Sequence, residues 1–560
     1  METSSAMEMS TIWSRLPRDM VLEVLARLPG GEVACTARLV DKAAALAFRG
    51  QRHVRLSEPS PPHAFARWFA GSKWSLTLQQ RHKLLALTSC SGNVENLSLL
   101  FTGVGCSLPP QVLAAAAAAG QLEICQWLLQ RDCAGQQEAL EAAACAGHRL
   151  LVEWLLSNGG CHLTTAAVCA AARGGQVALM DRLNLQLQLQ PLAADDGVGA
   201  AGRKNAQDSL GNLLEAAASG CDLATLQRLH AAHPPGDGCC ATLAADDARQ
   251  QQQQPALPLR EAHRRRIVTA AAASPTADWQ AKVEWLPGRG YPLRTADCSA
   301  LAALPDAAAR CAWLRARGVP LRAGLATEAA RAGNVEALSW LLAEGVGVED
   351  GEAVLAAASA GQLGALQALH AHGCAFPPDS VCAAARSGSL PTVAWLVEVL
   401  ASQQAGQAGQ QHLTPLVFSY AVMSGCMELL AWLRQRRCPW DAAAVVLAAQ
   451  AGSEEMLEWL AAQGSPMPAH NYMPYVVAGQ NGDLATMACL KRLGCYWSRA
   501  AFEAAVWHGC EPPVLRWLLD AGCPADLGRA AAVAAKVRAG SSAAAWIESE
   551  QQRSAGVAAA

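Results

Sequence analysis

The dipeptide Trp-Leu occurs nine times in this 560-residue chain, at Trp127, Trp154, Trp285, Trp313, Trp340, Trp395, Trp432, Trp459 and Trp517. Four neighbouring pairs of copies are 27 or 28 residues apart. Seven residues before most of them stands a glycine: Gly120, Gly147, Gly333, Gly388, Gly425 and Gly452. A fixed period of this length means one supersecondary unit repeated along a line. The unit reads A-A-x-x-G-x-L-x-x-x-x-W-L-L-x-x-G-C, as in residues 116–133 (AAAAGQLEICQWLLQRDC) and 329–346 (AARAGNVEALSWLLAEGV). Degenerate copies place Leu99, Ala368 or Cys489 where the Trp stands, so roughly thirteen to fourteen units fit between residues 76 and 526.

Each unit is expected to be an antiparallel helix pair. An Ala-rich first helix can lie close to its neighbours, and the glycine supplies the left-handed residue that ends it. In the second helix Leu122, Cys125 and Leu129 share a stripe, with Trp127 flanking it. A Trp buried there would contribute about 4–6 kcal/mol at most. One unit cannot close a core alone, whereas stacked units can, which is the logic of a solenoid.

Composition agrees with an all-α chain. Hydrophobic residues make up 52%, much of it alanine, and charged residues only 16%, which argues against a disordered chain. Val, Ile, Tyr and Phe are too scarce for a large sheet. No run of about 18 apolar residues occurs, so no membrane association is expected. Residues 1–17 lack the apolar core of a secretory signal. A cytoplasmic or nuclear location follows as an expectation. The balance of 44 basic and 47 acidic residues gives no basic footprint, and a nucleic-acid partner is therefore not expected. A monomer is the expected state.

The 21 cysteines recur with the repeat: Cys106, Cys133 and Cys161, then Cys495 and Cys523, lie 27 or 28 residues apart. A thiol once per unit is a packing position rather than a disulfide framework or a ligand pair. The vicinal Cys239-Cys240 stands apart in a Gly/Pro-rich stretch.

The repeat segment resembles the helix-turn-helix core of the ankyrin family. Thr414-Pro415-Leu416 is similar to the T-P-L that opens that family's first helix. The period is shorter than the family's, and the T-P-L-H motif is otherwise missing. The resemblance therefore implies an ankyrin-like helical-repeat solenoid with a trimmed or absent β-hairpin finger. Another kind of α-solenoid is the alternative.

Residues 13–50 open with Leu16-Pro17, where proline fixes the entry to a helix and Asp19 sits in its first turn. Val21, Leu22, Leu25 and Leu28 follow at helical spacing, and Pro29-Gly30-Gly31 ends the helix. Val33, Arg38, Val40 and Lys42 continue a pattern that resembles the F-box, a small three-helix module. Asp41 departs from that pattern, and no Trp follows Lys42. The resemblance implies docking on a Skp1-like adaptor of a cullin-RING ubiquitin ligase, through Leu16, Pro17, Val21, Leu25, Leu28 and Pro29. The alternative is a plain helical cap on the first repeat.

The expected organisation is a module at 13–50, a linker at 51–75, repeats at 76–233 with an insertion at 185–212, and a Gln/Pro/Gly-rich loop at 234–262. Repeats resume at 263–526 with an insertion at 401–411, and 527–560 forms one capping helix and a tail. The insertions read as flexible loops. The poor match at 263–300 leaves open a split into two stacks.

No catalytic residue, metal ligand or cofactor site is expected. Gly197, Gly199 and Gly202 form a GxGxxG without the strand a dinucleotide site needs. The 13 histidines are scattered; His148 and His508 read as exposed turn residues. A phospholipid or sphingomyelin phosphodiesterase, the remote enzymatic alternative, would need convergent ligands that no motif supplies. What remains is a binding surface. The position two before the glycine changes identity freely, and Arg331, Arg386, Met423, Gln450 and Trp507 are the candidate contacts to a protein substrate. The protein is expected to be a non-enzymatic adaptor, with a scaffold lacking the ubiquitin link as the alternative.

Overall fold

A computed structural model describes residues 20–189, 200–232, 259–403 and 412–559, with gaps at 21–22, 24, 26, 29, 40–41, 51–52, 296–297, 349–350, 468–470 and 538–541. The described residues are α-helical and 3₁₀-helical, with no strand among them. From Leu78 onward the described helices alternate as first and second members of fifteen antiparallel pairs. Pair 1 is Leu78–Cys90 with Val94–Val104, and pair 15 is Leu527–Val537 with Ser542–Ala559. In pair 7 a 3₁₀ turn, Ser299–Leu301, replaces the first helix and precedes Ala307–Ala316. The chain is an all-α helical-repeat solenoid.

The local chemistry of a unit explains the period. The turn glycine is left-handed, with φ of +83° at Gly147 and +72° at Gly333. It is also crowded. A Cβ on Gly147 would lie 2.5 Å from Oε1 of Gln176, and one on Gly333 would lie 2.4 Å from Oε1 of Gln362. Each of these glutamines belongs to the next unit, so a side chain at this turn would both strain the backbone and push the neighbour away. Polar side chains on this rim also satisfy carbonyls that the end of the preceding first helix leaves open. Gln121 Nε2 donates to Cys90 O at 3.1 Å, Asn334 Nδ2 to Leu304 O at 2.9 Å and Thr392 Oγ1 to Gly361 O at 3.1 Å.

The Trp-Leu pair divides its labour. All nine leucines are buried: Leu128, Leu155, Leu286, Leu314, Leu341, Leu396, Leu433, Leu460 and Leu518. The nine tryptophans are only half-buried. They line the outer side, and among the described residues seven of them, all but Trp154 and Trp340, meet another aromatic ring or lie under an arginine. Trp517 meets Trp497 at 6.4 Å, and the guanidinium of Arg317 lies 3.5 Å from the ring centre of Trp313. The expected core stripe Leu122–Cys125–Leu129 is corrected accordingly. The fully buried residues of that helix are Ile124, Cys125 and Leu128, and Leu122, Trp127 and Leu129 only flank them. The per-unit cysteines are interior. Sγ of Cys161 donates to Gln136 O at 3.2 Å and Sγ of Cys438 to Thr414 O at 3.4 Å, each at the start of its own unit's first helix.

Curvature follows from side-chain size. Consecutive first helices, rich in alanine, pack closely along their length, while consecutive second helices touch much less. The first helices therefore line the inside of a bend and the second helices the outside. The bend closes. Arg81 in the first helix of pair 1 donates from Nη1 to Oδ1 of Asp483 at 3.0 Å, and from Nη2 to Gly452 O at 2.7 Å. The Ala485 amide donates to Gly105 O at 3.4 Å. The lower rim of pair 1 thus rests on the turns of pairs 12 and 13, namely Ala443–Ala451 with Glu454–Ala462 and Met473–Gln480 with Leu484–Arg492. One apolar core runs from Phe65 to Ile547, so the array does not split at 263–300.

That poor match marks a change of clasp instead. The turn after the helix Glu261–Ala272 has no glycine. The buried Lys282 donates from Nζ to Ala218 O at 3.1 Å, Ser274 Oγ at 2.9 Å and Thr276 Oγ1 at 2.8 Å. Arg310 donates to Ala272 O and Ser274 O at 2.7 and 2.9 Å. Longer cations do here what glutamine or asparagine does elsewhere.

Four boundary expectations are also corrected. Residues 185–212 are not a loop throughout: Val177–Leu189 and Ala200–Gly220 are helices, because Leu, Gln and Ala favour helix once a stack receives them. Leu390–Gln403 carries helix into the 401–411 insertion. The 51–75 linker contains the helix Pro62–Ser72, whose Phe65 and Phe69 enter the core. The C-terminal segment is a full fifteenth pair, with Trp546 and Ile547 buried, rather than one helix and a tail. The rest of the 234–262 loop up to 258, Cys239-Cys240, Gly197 and Gly199 lie outside the described residues.

Candidate protein-docking wall and N-terminal module

The second helices cover the outer side of the first, so the exposed residues of the first helices face the inside of the turn. The free column two residues before the glycine is on that wall. Arg331, Arg386, Met423, Gln450 and Trp507 are all exposed, and Trp507 is 56% exposed. Arg331 is held by Glu328 of its own helix at 3.2 Å. Arg386 has no ion pair among the described residues. Between pairs 4 and 6 the wall has a cavity of about 350 Å³ lined by Arg173, Asn212, Glu215 and Arg266. Its charge is largely internal, since Arg266 pairs with Glu215 at 3.1 Å and donates to Asn212 Oδ1 at 2.8 Å.

The column alone understates the wall. In the helix Pro415–Ser424, Leu416 and Tyr420 stand seven and three residues before Met423, on the same inner stripe. Leu416 is 54% exposed. Leu447 and Val477 occupy the corresponding stripe in the next two first helices and are partly exposed. With Trp507 they make an apolar field across pairs 11 to 14. The equivalent positions of pairs 3, 9 and 10 carry Glu138, Glu352 and Asp379. The helical spacing L-x-x-x-Y-x-x-M was the signal in the sequence. Thr414 does cap this helix, accepting from the Val417 amide, but the leucine after its proline points to solvent.

The N-terminal module has a core of its own: Leu25, Val33, Ala44 and Phe48. Two short helices, Gly30–Cys35 and Lys42–Ala47, flank a 3₁₀ turn at Ala37–Leu39. Of the six expected adaptor contacts, Leu25 is buried inside this core and Leu28 is 39% exposed, while Leu16, Pro17, Val21 and Pro29 lie outside the described residues. Sequence reasoning did not single out Met20 and Leu46, which are 52% and 70% exposed, and it placed Leu39 in a second helix without a docking role, whereas Leu39 ends a 3₁₀ turn and is 71% exposed. The module is seated on the array through Pro59 and Ser60. A Cβ on Gly31 would sit 2.5 Å from Pro59 O, and Asn96 of pair 1 donates to Ser60 O at 2.9 Å.

His148 is a rim clasp, its Nε2 3.0 Å from Ala118 O, and His508 is exposed. The described residues contain no cluster of three or more His, Cys, Asp or Glu able to hold a metal ion. No described helix is long and apolar enough to cross a membrane.

No protein-family model matches this chain. No characterised protein matches it in sequence. Among solved structures, distant similarity is to helical-repeat proteins. The pentatricopeptide repeat protein PPR10 from maize aligns at 12% identity over 96% of this chain and 86% of that one, with a TM-score of 0.25. PPR10 in complex with an 18-nt psaJ RNA element aligns at 10% identity over 93% and 96%, with a TM-score of 0.22. Such likeness is to a helical array and nothing finer. The RNA complex does correct one expectation: a helical-repeat array can hold nucleic acid, so the exclusion of that partner class from net charge is withdrawn.

Proposed function

We propose that this chain is a non-enzymatic recruiting protein in which the inner wall of the closed turn holds a protein substrate. The observation that carries this reading is the apolar field of Leu416, Met423 and Trp507 left in solvent on the inner wall, since contiguous exposed apolar surface marks interaction sites. The wall is an ankyrin-like docking face in this reading, and the chain works by proximity rather than by chemistry.

The N-terminal module, in the same reading, is an F-box that docks a Skp1-like adaptor and so brings the substrate to a ubiquitin ligase in the cytoplasm or nucleus. Its exposed Leu28, Leu39 and Leu46 support this against the cap alternative, because a cap would turn its apolar side chains toward the array. The test is retention of purified Skp1 by the full-length chain. Wild type is expected to retain Skp1, and Leu28→Asp to lose it with an unchanged melting temperature. No retention by the folded wild type contradicts the adaptor role and leaves a scaffold.

A further inference from the structure

The closed turn limits what can reach the inner wall. About eleven first helices at roughly 9–10 Å spacing give a circumference near 110 Å, hence a diameter of about 35 Å between helix axes. Subtracting one helix width of about 10 Å leaves an opening of about 25 Å. A folded 100-residue domain, with a radius of gyration of about 13 Å, is too wide to enter. A single segment of polypeptide is not.

The wall also states the chemistry of that segment. Arg386 of pair 10 is unpaired among the described residues and adjoins the apolar field of pairs 11 to 14. In the column the order is Arg386, Met423, Gln450, Gln480, Trp507. Gln450 and Gln480 are exposed carboxamides, each able to donate and accept. An extended backbone needs such partners on both kinds of group. Along the wall of an opening about 25 Å wide, four of the eleven unit steps span roughly 29 Å, the length of about 8–9 extended residues. The remaining unpaired charge of the wall is largely acidic, with Glu138, Glu352 and Asp379 exposed, so Arg386 is the position that favours a carboxylate.

We infer that the occupant is an extended segment of a partner protein, with about 8–9 residues on the wall, acidic at the end over Arg386 and apolar along the stretch from Met423 to Trp507. This rests on the recruiting role proposed above. Met423 and Trp507 anchor its apolar side chains, Gln450 and Gln480 hold its backbone, and Arg386 selects the carboxylate.

The experiment is selection of a random 12-residue peptide display library on the immobilised full-length protein, followed by fluorescence polarisation with the enriched peptides. The expected peptides carry Asp or Glu at one end and at least two large apolar residues beyond it. Trp507→Ala should weaken them tenfold or more, and Arg386→Glu should move the selection toward Lys or Arg at the same end. Trp507, Arg386 and Met423 are all exposed, so unchanged melting temperatures accompany substitutions at these positions. Peptides that depend on Trp507 but show no acidic end, or an unchanged selection by Arg386→Glu, would overturn the inference while leaving the recruiting role standing. If no peptide binding responds to Trp507→Ala or Met423→Ala, both fall. Direct binding of an 18-nt single-stranded RNA that Trp507→Ala weakens, with no peptide enriched, would assign the wall to nucleic acid instead.

Discussion

Arg81 and Asp483, 402 positions apart, form a buried ion pair in which the two side chains are 4% and 0% exposed. The pair is well supplied with further partners. Arg81 also donates to Val104 O and Gly452 O, both at 2.7 Å, and Asp483 accepts from the Thr486 amide at 3.1 Å as it caps its own helix. Charges this deep persist only with such support. The consequence is a solenoid whose first unit is packed on two sides. In an open array each unit contacts only its neighbours along the chain and the ends fray first. Here the beginning of the chain is clamped to a segment more than 370 residues on.

The two members of the Trp-Leu pair should differ in what they contribute to stability. Leu341 is 0% exposed in the common core, so Leu341→Ala should destabilise by about 3 kcal/mol, in the range for large-to-small core changes. Trp340 is half-buried on the outer side, so Trp340→Ala should cost clearly less despite the larger side chain. Urea denaturation of the two variants decides it, and equal losses would put the tryptophans back in the core.

Lys282 should be far less tolerant than a surface lysine. Burial pushes its pKa down, and its ammonium satisfies three acceptors at the turn between pairs 5 and 6. Lys282→Ala leaves those oxygens without a donor and a void behind it, which should destabilise by at least about 3 kcal/mol. Lys73→Ala, on a half-exposed side chain over the exposed Trp74, should change stability by less than about 0.5 kcal/mol. The melting temperatures of the two variants give the comparison.

The thiols should make the fold sensitive to alkali. Burial pushes Cys106, Cys438, Cys495 and Cys523 up to about 11, from an ordinary thiol value of 9.0. The folded chain keeps these protons after the unfolded chain has begun to release them. Their contribution is therefore complete below about pH 9 and is lost as pH rises from 9 to about 11. Thermal denaturation across pH 7–11 should show a steep loss above pH 9, reduced in a Cys438→Ala, Cys523→Ala variant. At pH 7.5 the same four thiols should resist a thiol reagent in the native state, while the exposed Cys145 reacts.

The sequence made the unit legible because the unit is set by local physics. Glycine at the left-handed turn, alanine in the close-packed helix and leucine in the second helix each answer to a nearest neighbour, and their period survives in the text. The outward turn of the tryptophans was not legible, since Trp and Leu are equally apolar and differ in exposure only through which side of the second helix faces the neighbours. The clasps at Lys282 and Arg310 were hidden because they replace a glycine-based turn with different residues of the same role. Closure was hidden most completely. It depends on a small rotation summed over about a dozen units, and the residues that record it, Arg81 and Asp483, carry no repeat signal. The apolar wall was half legible: the column of Arg331, Arg386, Met423, Gln450 and Trp507 stood out by its variability, whereas Leu416, Tyr420, Leu447 and Val477 were masked by an otherwise apolar composition.

The closed turn is the premise of both the recruiting wall and its width, and a double-mutant cycle on Arg81→Leu and Asp483→Leu tests it most directly. Residues in contact couple, whereas distant ones add to within about 0.5 kcal/mol. Each single variant should lose about 3–5 kcal/mol, as expected for an abandoned buried charge, and the double variant should lose far less than their sum, with a coupling above about 1.5 kcal/mol. Losses that simply add would mean that the first unit does not rest on the twelfth and thirteenth, and that the array is an open arc.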